Sequence, residues 1–187
     1  MHVGALSKIK PDTPVYPPAA ALEHAQDRLA EKKLFGSLDI PVPGFRAIDS
    51  TDDLRHAAAD LGLPIVLKTR RLGYDGKGQV IVRSVADIDS AVAELGGKDL
   101  IAEQWVAFDR EVSAIGARNV KGDIAIYPLT ENEHREGILS VSRAPAEVGS
   151  LEDRATTFLT SLLNKLDYVG VLALELFVVG DELLANE

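Results

Sequence analysis

The chain has 187 residues, 46% of them hydrophobic and 26% charged, which specifies a globule long enough for one sizeable domain or two small ones sharing a site. A net charge of −9 excludes an extended basic field and with it a nucleic-acid partner, and admits an anionic small molecule only where basic side chains gather locally. The absence of cysteine excludes disulfides, thiolate metal sites and cysteine nucleophiles; no apolar run reaches membrane-spanning length or forms a signal-peptide core, so the expectation is a cytoplasmic protein with no membrane partner.

Residues 1–18, closing on "PDTPVYPP", read as a proline-rich connector. Residues 19–39 read as a linking helix on the spacing of Leu22, Ala25, Leu29 and Phe35. "IPVPGFRAI" is a turn leading into a strand, and "DSTDDLRHAAADLG" a helix with a serine or threonine cap, an acidic first turn and Gly62 as terminator. "PIVLKT" and "QVIVRS" are strands joined by the segment "RRLGYDGKGQ". "SVADIDSAVAELGG" repeats the helix logic, with Ser84 as cap, Ile88, Ala91, Val92 and Leu95 on one face and Gly96 at the end; "DLIAEQWV" is again a strand. Beyond it, "REVSAIGARN", "DIAIYPL" and "GILSVSR" read as successive antiparallel strands with turns at "VKGD" and "ENEHRE". An amphipathic helix carries Leu151, Ala155, Phe158, Leu159, Leu162, Leu163 and Leu166, and the chain closes with "YVGVLALELFVV", the turn "GDE" and "LLANE". The fold class is α+β: a small subdomain over 40–107 and a larger one over 108–187. The latter stops after its last strand, as expected of a piece of a larger protein.

Three features point to chemistry. The glycine-rich connection fails two familiar phosphate motifs: Gly76-Lys77 is followed by Gly78 and a strand, not by Ser or Thr and a helix, and Ile81 stands where a dinucleotide fingerprint needs glycine. Two readings stand for it, a flexible hairpin with its charges in water, or a loop that lays backbone N–H groups and a lysine against phosphates. The second feature is Glu175, which strand alternation places on one face with Val171, Ala173, Phe177 and Val179. A carboxylate among apolar neighbours needs a partner. If the last two strands form a hairpin, that partner is Glu187 across a hard cation such as Mg2+; the alternative is a structural pair of Glu with Lys or Arg. The third is Lys68, ending an apolar strand, either reaching phosphates or packing its stem on the sheet with its ammonium in water.

Together these features resemble the ATP-grasp enzymes, and "QDR" with "EK", "KTRRLGYDGKGQ", "EQWVAFDREVS", "YPLTENEHREGILSVSRAP" and "YVGVLALELFV…NE" resemble one group within them, the 5-(carboxyamino)imidazole ribonucleotide synthases. The resemblance runs from about residue 14 to the end, and its most specific parts are "YDGKGQ" and "YP…N.H..GIL". It implies an ATP-grasp fold whose two α+β subdomains, with mainly antiparallel sheets, grip ATP between them. It further implies that Arg28 and Lys68 contact nucleotide phosphates, and that Gly73, Tyr74, Asp75, Gly76, Lys77, Gly78 and Gln79 form a lid over them. Glu103, Gln104, Trp105 and Val106 are implied to hold adenine, Glu111 the ribose hydroxyls, and His134 the nucleotide. Glu175 and Glu187, with Asn186 beside the latter, match the Mg2+ ligands. For His134 the alternative is an exposed histidine in a polar turn, and for Trp105 a core or interface filler.

The reaction the resemblance implies is ATP-dependent carboxylation of 5-aminoimidazole ribonucleotide by bicarbonate through carboxyphosphate, in purine biosynthesis, by an enzyme that is usually dimeric. It needs metal, positive charge and exclusion of water more than a protein acid or base, and no catalytic side chain is assigned. The family's N-terminal nucleotide-fold domain and its downstream Arg-His-Asn segment have no counterpart here, so the resemblance implies the central ATP-grasp portion of a longer enzyme, inactive alone. The alternatives are another ATP-grasp ligase, such as a formate-using ribonucleotide transformylase, or a nucleotide-binding module without chemistry. Tyr74 and Asp75 are placed on the substrate side of the lid. In the full-length protein, Asp75→Asn is therefore expected to raise the KM for the ribonucleotide more than that for ATP, and steady-state kinetics showing equal effects overturn the placement.

Overall fold

Ala19–Ala25 (α1) and Arg28–Gly36 (α2) are two helices where helical spacing predicts one. The break is Asp27, whose backbone is extended and whose carboxylate accepts from Leu29 N and Ala30 N at 3.0 and 3.3 Å, capping α2. Apolar periodicity runs through the cap, which hides it from a periodicity argument. The computed structural model describes residues 13–73, 77–135 and 137–187; most of the proline-rich connector, and Tyr74, Asp75 and Gly76 of the lid, lie outside the described residues. Among those described, no helix is long and apolar enough to cross a membrane.

The chain divides into two units. One takes in the chain up to Pro41, Phe108–Glu133 and Val141–Glu187; the other takes Val42–Ala107 together with His134–Ser140.

In the second unit, Phe45–Ile48 (β1), Ile65–Thr69 (β2), Gln79–Val82 (β3) and Leu100–Gln104 (β4) form an antiparallel sheet in the order β1-β4-β2-β3. Thr51–Leu61 (α3) and Ile88–Glu94 (α4) contribute Leu54, Ala57, Ile88 and Ala91 to a core shared with Ile48, Ile65, Leu67, Val82 and Leu100. The first starts where the sequence predicts, whereas Ser84, expected to cap the second, caps a 3-10 turn and α4 itself begins at Ile88. Ser50 Oγ accepts from Asp53 N at 3.2 Å, while Ser84 and Asp87 form a reciprocal capping box, with Val85–Asp87 as a 3-10 turn leading into α4. The Ser50 hydroxyl holds the Asp53 carboxyl below its ordinary value, as the Ser84 hydroxyl does for Asp87. Both caps therefore act in full above about pH 3.8 and weaken as pH falls through the depressed values.

Arg110–Arg118 (β5), Ile124–Ile126 (β6), Thr130–Arg135 (β7), Ile138–Arg143 (β8), Gly170–Val179 (β9) and Glu182–Ala185 (β10) form a six-stranded sheet in the order β10-β9-β5-β7-β8, with β6 also paired to β5; all of it falls in the first unit except the end of β7 and the start of β8, within His134–Ser140. Leu151–Lys165 (α5) buries Leu151, Ala155, Leu159, Leu162 and Leu163, and packs against β5, β9 and β10. Val112, Ala114, Leu174, Leu176, Val178, Leu183 and Ala185 are buried on their strands, none more than 2% exposed. Gly116 has no room for a side chain: a Cβ there would lie 2.6 Å from Ile126 Cδ1 and 3.0 Å from Leu159 Cδ2.

Two local expectations change. "ENEHRE" is not a turn, since Glu131–Arg135 lie in β7, whose backbone pairs with β5 (Thr130 with Ser113, Glu131 with Val112, Asn132 with Glu111). The reversal includes Gly137, at φ 77°. His134 is accordingly a strand residue. Glu175 does share a strand face with Ala173, Phe177 and Val179, but this is the half-exposed face; the alternate residues Leu174, Leu176 and Val178 fill the core. Leu159 is fully buried in α5, so Leu159→Ala is expected to destabilise the protein by about 2–5 kcal/mol in urea unfolding.

Candidate functional site

Four buried polar or charged side chains stand out among the described residues: Asp27, Lys32, Glu103 and Ser113. Each costs free energy unless it is hydrogen-bonded, and each lies beside residues singled out in the sequence.

In the second unit, β2 and β4 pair so that Lys68 faces Ile101 and Val66 faces Glu103. Lys68 and Glu103 are thus diagonal neighbours on the sheet face turned away from that unit's core, and Lys68 Nζ donates to Glu103 Oε2 at 3.0 Å. The two side chains are 14% and 4% exposed, so the pair is largely desolvated. Lys68 is neither stretched into water nor isolated; its charge is balanced by the carboxylate expected at the adenine. Following Glu103, Gln104 N donates to Gly44 O at 2.8 Å and Trp105 N to Pro64 O at 3.4 Å, so two of this segment's amides are satisfied within the unit. Trp105 is 44% exposed, which removes the core-filler alternative for it. Val106 follows the strand end and is half-buried.

Of the lid, Gly73, Lys77, Gly78 and Gln79 are described. Gln79 begins β3, opposite Lys68. Gly78 has φ +75°, its carbonyl accepts from Thr69 N at 2.8 Å, and a Cβ on it would meet Thr69 Oγ1 at 2.7 Å. This glycine is required by the close approach of the loop to Thr69 at the end of β2. His134 stands near the end of β7, half-buried.

In the first unit, the half-exposed sheet face carries Glu111 and Ser113 on β5, Asn132 on β7, and Glu175 and Phe177 on β9. Glu111 pairs with both Phe177 and Asn132, and Ser113 with Glu175. Asn132 Nδ2 donates to Ser113 Oγ at 2.6 Å, and Ser142 Oγ donates to Asn132 Oδ1 at 2.9 Å. Phe177 stacks on Phe108 with ring centroids 4.6 Å apart and planes 7° from parallel.

The last two strands do form a hairpin, ending in a bulge. Asn186 N donates to Glu175 O at 2.8 Å, yet Glu175 N donates to the next residue, Glu187 O, at 2.7 Å. Two residues therefore face one, which re-aims the side chain of Glu187 relative to strict alternation. Glu175, Asn186 and Glu187 are brought together at this strand end. Glu187 Oε2 accepts from Arg28 Nη1 at 2.8 Å, with side chains 47% and 23% exposed, at the N-terminal end of α2 where the helix dipole favours an anion. From the same helix, Lys32 Nζ donates to Ala185 O at 3.1 Å and Asn186 O at 2.8 Å.

Oxygen donors alone suit a hard cation. Among the described residues no group of three or more His, Cys, Asp or Glu side chains converges on a point. A cation here would therefore be held by two carboxylates and by oxygens from elsewhere, a donor set that fits Mg2+, which keeps waters and bridges phosphates.

A family model for the ATP-grasp domain matches residues 33–187. The chain belongs to the ATP-grasp family. This ATP-grasp chain is 48% identical over 174 residues to the N5-carboxyaminoimidazole ribonucleotide synthase of Pseudomonas aeruginosa, across 93% of this chain and 48% of that protein. Among solved structures it is similar to N5-carboxyaminoimidazole ribonucleotide synthetase from Thermus thermophilus, at TM-score 0.93 and 46% identity, covering 99% of this chain and 50% of that one. It is also similar to N5-carboxyaminoimidazole synthetase from Staphylococcus aureus complexed with ADP, at TM-score 0.84 and 30% identity, covering 90% and 45%. The chain spans about half the length of the curated relatives it matches.

Sequence reasoning assigned no role to Lys32, Asp27, Ser113, Asn132 or Ser142. Lys32 carried one usable signal: it falls three residues after Leu29 on the buried side of α2, where a lysine needs a partner. The two ion pairs predict losses of stability of very different size. Lys68→Met, which strips the charged partner from the buried Glu103, is expected to cost about 3 kcal/mol or more. Glu187→Gln, at an exposed pair, is expected to cost less than about 1 kcal/mol; urea unfolding of both variants checks the contrast.

Proposed function

We propose that this chain is the ATP- and Mg2+-binding part of an enzyme that carboxylates 5-aminoimidazole ribonucleotide with bicarbonate, giving N5-carboxyaminoimidazole ribonucleotide. The observation that carries the reading is the bulged end of β10, where Glu175, Asn186 and Glu187 meet beside Arg28. Two carboxylates at one strand end, one of them held by Arg28 through a part-exposed and exchangeable pair, are oxygen donors of the kind a hard cation takes. Relatives named as synthases of this product, over the same stretch of chain, support the choice of substrate.

In this reading, bicarbonate attacks the terminal phosphoryl group of ATP, releasing ADP and forming carboxyphosphate. The exocyclic amine of the ribonucleotide then takes the carboxyl group, and phosphate leaves. Glu175 and Glu187, with Asn186 beside them, would hold Mg2+, which when bound neutralises phosphate charge. Arg28 leaves Glu187 for a phosphate oxygen, so one charge pair is exchanged for two without stranding a cation. Lys68 and Lys77 supply further positive charge at the phosphates, and the lid from Gly73 to Gln79 excludes water from a labile intermediate. Glu103 through Val106 accept adenine, Glu111 the ribose hydroxyls, and His134 contacts the nucleotide. The enzyme so described is cytoplasmic and, at full length, a homodimer.

The full-length protein is expected to release ADP only when bicarbonate and 5-aminoimidazole ribonucleotide are both present, and to form the carboxylated amine in equal amount. ADP release driven by formate, or by bicarbonate with a different acceptor, overturns the assignment of substrate.

A further inference from the structure

We propose that Lys32 is a positioning residue for the carboxylate end of β10, clamping the bulge from which Asn186 and Glu187 project. The inference rests on the reading of Glu175, Asn186 and Glu187 as metal and nucleotide ligands. Lys32 is among the largest fully buried side chains of the molecule, at 1% exposure. A buried ammonium is costly and is retained only where charge-assisted hydrogen bonds offset the loss of water. Two of its donors go to consecutive carbonyls, Ala185 at 3.1 Å and Asn186 at 2.8 Å, where the bulge takes β10 out of its regular ladder. Asn186 is thereby held at both ends of its backbone, its N–H by Glu175 O and its carbonyl by Lys32. Ala185 N is fixed in turn by Pro41 O at 2.7 Å.

Arg28 and Lys32 stand four residues apart, hence on one face of α2. The same helix face thus grips the strand end twice, by different atoms. Arg28 takes the Glu187 carboxylate and is exposed enough to exchange it for another anion. Lys32 takes main-chain oxygens, is closed to solvent, and stays put. The exchangeable cation tunes the charge at the site, and the fixed one sets its geometry.

Titration with ADP, with and without Mg2+, and amide hydrogen exchange on the full-length protein test this in wild type, Lys32→Met and Lys32→Arg. Lys32→Met is expected to bind Mg·ADP about tenfold or more weakly, as is usual when a residue supporting a metal ligand is lost, with a smaller loss for ADP in EDTA. Its Glu175 and Asn186 amides should exchange about tenfold faster while the middle of β5 and β9 keeps its protection, and Lys32→Arg should restore both. An unchanged Mg·ADP affinity in folded Lys32→Met, or faster exchange spread evenly through the sheet, overturns the positioning role. If Lys32→Met does not fold, Lys32→Gln, which keeps amide donors but no charge, is held to the same criteria. Failure of wild type itself to bind Mg·ADP overturns the nucleotide reading, and with it the functional part of this inference, while the exchange data still report whether the clamp exists.

Discussion

The antiparallel pairing of β5 with β9 is the constraint on which the first unit is built. Nine consecutive pairs, from Arg110 with Val178 to Arg118 with Gly170, set a single register. With a side-chain period of two, that register divides each strand between two tasks. Val112 and Ala114 turn with Leu174, Leu176 and Val178 to the buried side, while Glu111, Ser113, Glu175 and Phe177 share the other. A slip of one residue would send the carboxylates into the core and the leucines into water. The apolar side therefore enforces the placement of the polar side, and the site inherits its precision from packing it does not touch.

The charges are arranged with similar economy. The chain is acidic overall, yet the basic residues of interest are held against named acids: Lys68 against Glu103, and Arg28 against Glu187. Each pair keeps a cation in place without leaving it bare. The two differ in burial, and so in ease of exchange. A desolvated pair is kept together by the cost of separating it, whereas a half-exposed one trades partners with little loss.

Much of this was legible in the sequence where local rules and tertiary demands agree. Ser50 announced the start of α3 and Ser84 that of the 3-10 turn leading into α4, and the alternation of "VLALELFV" placed Glu175 on one strand face. What could not be read was anything set by a distant partner. Glu131–Arg135 form a strand because β5 and β8 flank them, β5 pairing as far as Asn132, not because their own pattern alternates; polar throughout, they look like a turn. Asp27 caps a helix inside a run whose apolar spacing continues unbroken. Lys32 sits beside Lys33, and nothing local distinguishes the buried lysine from the solvated one; the two carbonyls that select it lie more than 150 residues away. Alternation correctly groups Glu175 with Ala173, Phe177 and Val179, yet it tells which residues share a face and not which face is covered, and here the covered face is the other one.

The bulge at Asn186 and Glu187 makes the spelling of the last hairpin unforgiving in one respect only. Substitutions along β9 and β10 leave the backbone count unchanged, and the two facing ends still meet. A single residue gained or lost in the tight turn at Gly180 and Asp181 would shift every later position by one, move Glu187 past Glu175 and leave Lys32 bonded to the wrong carbonyls. For this part of the chain, length is a stricter specification than composition.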